Sequence, residues 1–442
     1  MGDFSGRVVF EAAGQGATAD RPCSVCWDAE RLTIVPSPGP PIAFDLGDVD
    51  RLVDAGRELM LDVWPGHRVR LSGFHRVHER VAHELRGAYR DRLVRCLLLA
   101  DLPELDRFPA WAALEGSTPS AAKPAEVRLY ETNLAVLPAD AAAFHWRLAD
   151  LDDLAFDERA YAWTLVSGGS RLVISRLAKR TAEFGAAVRQ ASEGVARRGM
   201  DALSRLFPFL DAATMATVAG SWREGRAIPV TALDRLDRRL VATLMNAAVS
   251  AALRDYVDDL MRRSSGRAHV GFLLRRPEPD GDDGPSDEDP GEDGPAAAGT
   301  APLSARGTAG RSGDDPGAVE PVFWFLFALP SPRPSGAPDL VAWETASASG
   351  RATYLFDSRP GLEALNRGLV ALNFRREPIY LPDDRLAADA RFRRHAIAAR
   401  RLPDLRALRA AFAGRVIHSS LDAWRAGLEG IVASPRGGAS WN

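Results

Sequence analysis

The stretch IAFDLGDVDRL, residues 42–52, recurs 102 residues later as FHWRLADLDDL, residues 144–154. Phe44 matches Trp146, Leu46 matches Leu148, Asp48 matches Asp150, Asp50 matches Asp152 and Leu52 matches Leu154. The match extends both ways. Upstream, WDAERLTIVP (27–36) parallels YETNLAVLP (130–138). Downstream, ELMLDVWPGHRVRLSGF (58–74) parallels AYAWTLVSGGSRLVISRL (160–177), with one residue inserted at the turn. A repeat of this length means that one supersecondary unit is used twice.

Each copy reads as short strands rich in Val, Leu, Ile and aromatics, separated by polar turns. PGH (65–67) and SGG (167–169) have the glycine that a hairpin turn needs for positive φ. After the last strand the apolar period lengthens. Phe74, Val77, Val81, Leu85 and Ala88 recur at three and four residues, as do Leu177, Phe184, Val188 and Ala191 further on. That spacing marks one face of an amphipathic helix.

Antiparallel strands followed by one closing helix resemble the pleckstrin-homology-like (PH-like) superfold, in tandem and of bacterial type. The resemblance rests on element order, the D-x-D before a turn and the hairpin-then-helix ending. It implies an α+β fold of two PH-like antiparallel β barrels, each closed by a C-terminal helix. It also implies a binding platform, since PH-like barrels usually present a sheet edge or loops to a peptide or protein. Phosphoinositide recognition needs clustered basic residues at the first hairpin. The loop AAGQGATAD (12–20) has none, so that role is disfavoured.

The remaining chain divides by composition. We expect a first PH-like domain over 1–100, a Pro-rich linker over 101–125, a second PH-like domain over 126–200 and a helical segment over 201–266. In the last of these, Thr231 reads as a helix N-cap. A third β/α unit spans 267–380, and its order of strands, a hairpin and then a helix again follows PH-like logic. It has strands at AHVGFLLRR (268–276) and PVFWFLFALP (321–330), a hairpin around SASG, and a helix in SRPGLEALNRGLVALNF (358–374) with Ser358 as a cap. The insert 277–320 opens with nine acidic residues among prolines and glycines over 277–295. It has too little apolar surface to offset the entropy of ordering and is expected to stay disordered. A basic helical tail fills 381–442.

Charge and cysteine content bound the function. With 56 basic against 59 acidic residues the net charge is −3, so no global field draws nucleic acid or an anionic membrane. Lys123 and Lys179 are the lysines of the whole chain, an arginine bias typical of GC-rich bacterial coding. Three cysteines form no disulfide framework, and a cytoplasmic location fits. The most apolar run spans nine residues, far short of the ~20 of a membrane helix, so no membrane insertion is expected.

Cys23 and Cys26 form a C-x-x-C, and His75 with His78 could complete a zinc site on paper. The repeat instead puts both cysteines in one strand, where residues three apart face opposite ways. Cys96 reads as a small buried hydrophobe. No G-x-S-x-G, H-E-x-x-H or Walker-type loop occurs, so no catalytic residue, metal or cofactor is assigned and no enzyme is expected. Asp48/Asp50 and Asp150/Asp152 recur at a strand-to-turn position, where Asp caps the backbone. The strongest charged feature is DRLAADARFRRHAIAARRL (384–402), read as one helix with Arg391, Arg393, Arg394, Arg400 and Arg401 on one half, a candidate anion-binding face. The expected function is a non-enzymatic scaffold or adaptor with a protein partner. The alternative is nucleic-acid binding through those arginines, whose affinity would fall steeply with salt. A hydrolase or metalloprotein built from distant residues ranks third.

Overall fold

A computed structural model describes residues 3–14, 16–115, 122–275, 320–330, 339–345 and 352–433. The protein is mixed α+β, with two antiparallel seven-stranded sheets, a third sheet and helices. The first sheet contains β1 (Phe4–Glu11), β2 (Arg21–Trp27), β3 (Arg31–Pro36), β4 (Ile42–Asp45), β5 (Val49–Asp54), β6 (Glu58–Val63) and β7 (His67–Ser72). Their spatial order is β4-β3-β2-β1-β7-β6-β5, so β1 pairs with both β2 and β7. Helix α1 (His78–Cys96) follows and buries Val81, Leu85, Tyr89 and Leu93 against the sheet. Val77, expected on that face, is exposed, because a 3₁₀ turn (His75–Val77) precedes the helix.

The second sheet contains β8 (Glu104–Glu115), β9 (Lys123–Tyr130), β10 (Asn133–Pro138), β11 (Phe144–Arg147), β12 (Asp153–Asp157), β13 (Ala162–Ser167) and β14 (Ser170–Ser175), then α2 (Thr181–Leu206). Its order, β11-β10-β9-β8-β14-β13-β12, repeats the first. The 3₁₀ corners Leu46–Asp48 and Leu148–Asp150 fall at the offset of 102 read from the sequence. The linker expected at 101–125 is corrected here. Residues 104–115 are β8, the strand on which the second sheet is built, and Phe108, Ala110 and Ala112 alternate into its core.

Residues 201–266 are helical as expected, but broken. They form α3 (Ala212–Ser221), the two-residue strand β15 (Ile228–Pro229), α4 (Val230–Leu236), α5 (Arg238–Ala248) and α6 (Ala251–Arg263). Thr231 lies inside α4 rather than capping it. Asp211 and Asp237 do cap, accepting the backbone N–H of Thr214 and Arg239.

The third sheet is a sequential meander of β15, β16 (Ala268–Arg275), β17 (Glu320–Leu329), β18 (Leu340–Thr345), β19 (Ala352–Asp357) and β20 (Phe412–Ile417). It differs from the repeated topology, since its first and last strands lie at opposite edges. The hairpin β16–β17 closes with Arg275 opposite Glu320. Residues 276–319, which hold nearly all of the expected acidic insert, lie outside the described residues, as do the SASG residues and residues 434–442. Between β19 and β20 come α7 (Leu362–Ala371), α8 (Glu377–Tyr380), α9 (Asp383–Ala388), α10 (Arg393–Arg401) and α11 (Pro403–Ala411), and α12 (Leu421–Ala433) follows β20. Gly361, not Ser358, precedes α7. The tail expected over 381–442 is therefore part of the third unit, because β20 completes its sheet.

Packing joins the units. One continuous core runs from the first sheet and α1 into Trp324, Trp343 and Tyr354 of the third sheet and Leu365, Leu405 and Leu408 of α7 and α11. The other face of the third sheet packs against α3–α6 and α12 through Phe272, Phe325, Trp222 and Trp424. Full burial of a side chain of this size contributes about 1.5–3 kcal/mol. Among the described residues no helix is long and apolar enough to cross a membrane.

Candidate functional site: two arginine sockets

The repeated aspartates do more than turn the backbone. In the first corner the capping role belongs to Asp45, whose Oδ1 accepts the N–H of Gly47 at 2.7 Å. That frees the Asp48 carboxylate, whose side chain is 8% exposed. It receives two guanidiniums from α10, Arg393 on Oδ2 and Arg400 on Oδ1. Arg401 donates to the carbonyls of Gly47 and Val49, each at 2.7 Å. These three arginines sit at the corner between β4 and β5, the two edge strands that no backbone pairing joins. Charge-assisted bonds of this kind are about twice as strong as neutral ones.

The second corner is filled in the same way from a different element. The segment Trp222–Arg226 leaves α3 and crosses to β15 beside the second sheet. Arg226 donates to Asp150 Oδ1 at 3.0 Å and to the Asp150 carbonyl at 3.3 Å. Arg223 donates to the Leu151 carbonyl at 3.1 Å. Each socket thus combines one aspartate with nearby backbone carbonyls, and each is filled from outside its own sheet.

Close approach favours glycine at both contacts. A Cβ on Gly47 would lie 2.7 Å from Cys96 Sγ and 2.8 Å from Ile397 Cδ1, so any larger residue must push these side chains aside where α10 seats on the corner. The equivalent residue in the second copy is Ala149, where no such helix docks. Gly225 has φ +75°, and a Cβ there would overlap the Arg147 guanidinium. Arg147 donates to the Glu224 carbonyl at 3.0 Å. Asn366 of α7 donates to the Gly225 carbonyl at 2.8 Å and accepts from Trp324 Nε1 at 3.0 Å. This buried chain ties the second socket to the third sheet.

The five arginines read as one face therefore have separate fates. The expected helix 384–402 is split at 389–392, and Arg391 lies in that break, paired with Asp389. Arg394 reaches Asp101 at 3.8 Å. Arg393, Arg400 and Arg401 form the wedge. The cysteines lie in β2, Cys23 on the buried face with Val25 and Cys26 on the other. Burial pushes the Cys23 thiol up, and Cys96 up to about 11. His78 pairs with Asp54 at 3.0 Å. Among the described residues no group of three or more His, Cys, Asp and Glu is placed to hold a metal.

Sequence reasoning missed a buried polar cluster in the third unit. Glu344 of β18 is 1% exposed, and its Oε2 accepts from Thr353 at 2.8 Å and lies 3.0 Å from His418 Nε2. Trp424 Nε1 donates to Thr353 Oγ1 at 3.0 Å, and Tyr256 stacks on the His418 ring. Burial raises the Glu344 pKa, while His418 opposes the shift. The cluster holds β18, β19, α6 and α12 together. Its members come from four separate segments, so no local pattern announces it.

β12 is an outer strand of the second sheet, hydrogen-bonded on one side to β13. Phe156 is 36% exposed and packs edge-on to Tyr161, itself 58% exposed, and against Trp163. Arginine caps a carbonyl at or just before the start of both outer strands, Arg401 on Val49 and Arg223 on Leu151, and in β5 the Tyr89 hydroxyl also reaches the Asp50 carbonyl at 3.4 Å. Fold and site together define an α+β protein in which two repeated sheets are fastened by a third unit. No protein-family model and no curated protein matches the chain.

Proposed function

We propose that the chain is a non-enzymatic, cytoplasmic protein-binding scaffold built on two PH-like lobes. The strand order β4-β3-β2-β1-β7-β6-β5 followed by a helix, found twice, supports the PH-like reading. Both sockets are filled by the chain's own arginines, which fixes the lobes relative to the third unit. The observation that carries the function is the outer edge of β12, hydrogen-bonded on one side to β13 and flanked by the exposed Phe156 and Tyr161. An unpaired edge with adjacent apolar side chains suits an extended segment of a protein partner, which gains backbone hydrogen bonds and side-chain burial together.

Nucleic-acid binding through Arg391, Arg393, Arg394, Arg400 and Arg401 gains less support. Each of the five has a carboxylate within ion-pair distance in its own chain. The test is affinity capture from a lysate of the source organism, with wild type and F156D/Y161S as baits and each bait run with and without nuclease. A protein set that survives nuclease and is lost with the edge variant supports the scaffold. Identical sets on both baits, or a set removed by nuclease, contradict it.

A further inference from the structure

A cleft of about 680 Å³ runs between the edge strand β4 and the α9–α10 segment. All four residues of β4 line it, together with Ala387, Ala388 and Ala390, Trp64 of the β6–β7 turn and His67 at the start of β7. The volume suits a short stretch of polymer or a drug-sized molecule.

The cleft has both an open strand edge and unspent hydrogen-bond donors. Leu46 N–H donates to the Glu30 carbonyl at 2.7 Å, which makes Arg31 and Asp45 a non-hydrogen-bonded pair in the β3–β4 ladder. Antiparallel alternation then turns the N–H and C=O of Ala43 away from β3, toward the cleft. The carboxylates on the walls are already matched. Asp45 takes two prongs of Arg92, at 2.9 and 2.6 Å, Glu30 takes the third nitrogen, and Asp48 takes Arg393 and Arg400. The donors are not. Arg31 is exposed with no carboxylate in ion-pair range among the described residues, and Arg394 has the distant, solvated Asp101. His67 Nδ1 accepts the Ala13 N–H at 3.0 Å, so its neutral ring holds its proton on Nε2. Phe44 and Trp64 add apolar surface.

We propose that this cleft docks an extended acidic segment of a partner protein. The segment pairs with Ala43 as an added strand on β4, sets carboxylates on Arg31 and Arg394, and rests alternate apolar side chains on Phe44 and Trp64. The charge complementarity is one-sided, because an anionic ligand finds Arg31 unpaired among the described residues and Arg394 held only at 3.8 Å by the solvated Asp101, while a cationic one meets carboxylates already neutralised. The site is separate from the β12 edge and does not rest on it.

The test is fluorescence anisotropy at low salt on the full chain, with a fluorescein-labelled (Glu-Val)4 peptide. Saturable binding is expected, weakened at least about tenfold for (Lys-Val)4 and for the variant R31E/R394E. (Glu-Pro)4 has the same charge but cannot pair as a strand, and it should bind several-fold more weakly. R31K/R394K should keep most of the binding, which excludes misfolding as the cause, and F156D/Y161S should keep all of it. Absence of saturable binding overturns the proposal. So does equal binding by R31E/R394E or by (Glu-Pro)4, or displacement of both acidic peptides alike by oligo(dT), which would mark a plain anion patch for nucleic acid.

Discussion

Asp48 and Asp150 stand 102 residues apart in sequence and at the same corner of two repeated sheets, and each carboxylate is held by arginine from a segment outside its own sheet. For Asp48 the partners are 345 and 352 residues away. The fold has turned one inherited turn residue into two long-range fastenings.

Replacing Asp48 by Asn removes the shared counter-charge of Arg393 and Arg400 at a largely buried site, leaving Arg393 only Asp45 at 3.8 Å, a carboxylate already held by Arg92. Breaking one partner of a buried pair costs about 3–5 kcal/mol, and the quarter-exposed arginines moderate this to about 2–3 kcal/mol. Asp50, 60% exposed, should tolerate Asn at under about 0.5 kcal/mol. Urea titrations of D48N and D50N check the contrast, and equal midpoints would refute it.

Much of this architecture was legible in the sequence, and the rest was hidden for identifiable reasons. The repeat, its hairpins and its closing helices follow from alternating apolar residues and glycine turns, which are local signals. β8 was hidden because Pro103 precedes it, Pro109 interrupts it, and its inward positions include small Ala110 and Ala112 rather than large residues. Pro109 sits at an exposed position, where the strand tolerates it. The wedge was hidden because arginines that look solvated on a helix find their aspartate more than 340 residues away. One local difference could have pointed to it, Gly47 in the first copy against Ala149 in the second.

That difference yields a second prediction. Gly47→Ala should destabilise by about 1–3 kcal/mol through overpacking against Cys96 and Ile397. Ala149→Gly should cost under about 1 kcal/mol. Thermal melts of the two variants check the asymmetry.

The second socket should show pairwise coupling. Asp150 and Arg226 are 16% and 36% exposed, so their coupling should be about 1 kcal/mol rather than the value of a buried pair. A double-mutant cycle of D150N and R226Q measures it, and a coupling near zero would place the fastening elsewhere.

His395 gives the wedge a pH dependence. It is buried in α10, and burial, then Arg394 and Arg375, push its pKa down to about 4. In the unfolded chain a histidine titrates near 6.5. As pH falls from ~6.5 toward ~4, the unfolded state takes up the proton first. Stability that is complete above that window is lost within it, by at most about 1.4 kcal/mol per pH unit. Urea midpoints between pH 7 and 5.5 should fall for wild type and fall less steeply for H395Q, with a slope remaining because burial also holds His145 down to about 4 and lowers His269.

The most direct test is hydrogen exchange read by mass spectrometry on D48N and D150N. The sockets predict that D48N loses protection over 393–402 while β1–β3 keep theirs, and that D150N loses it over 222–226. Unchanged protection of both segments in their variants would contradict the sockets as the fastenings between the lobes and the third unit.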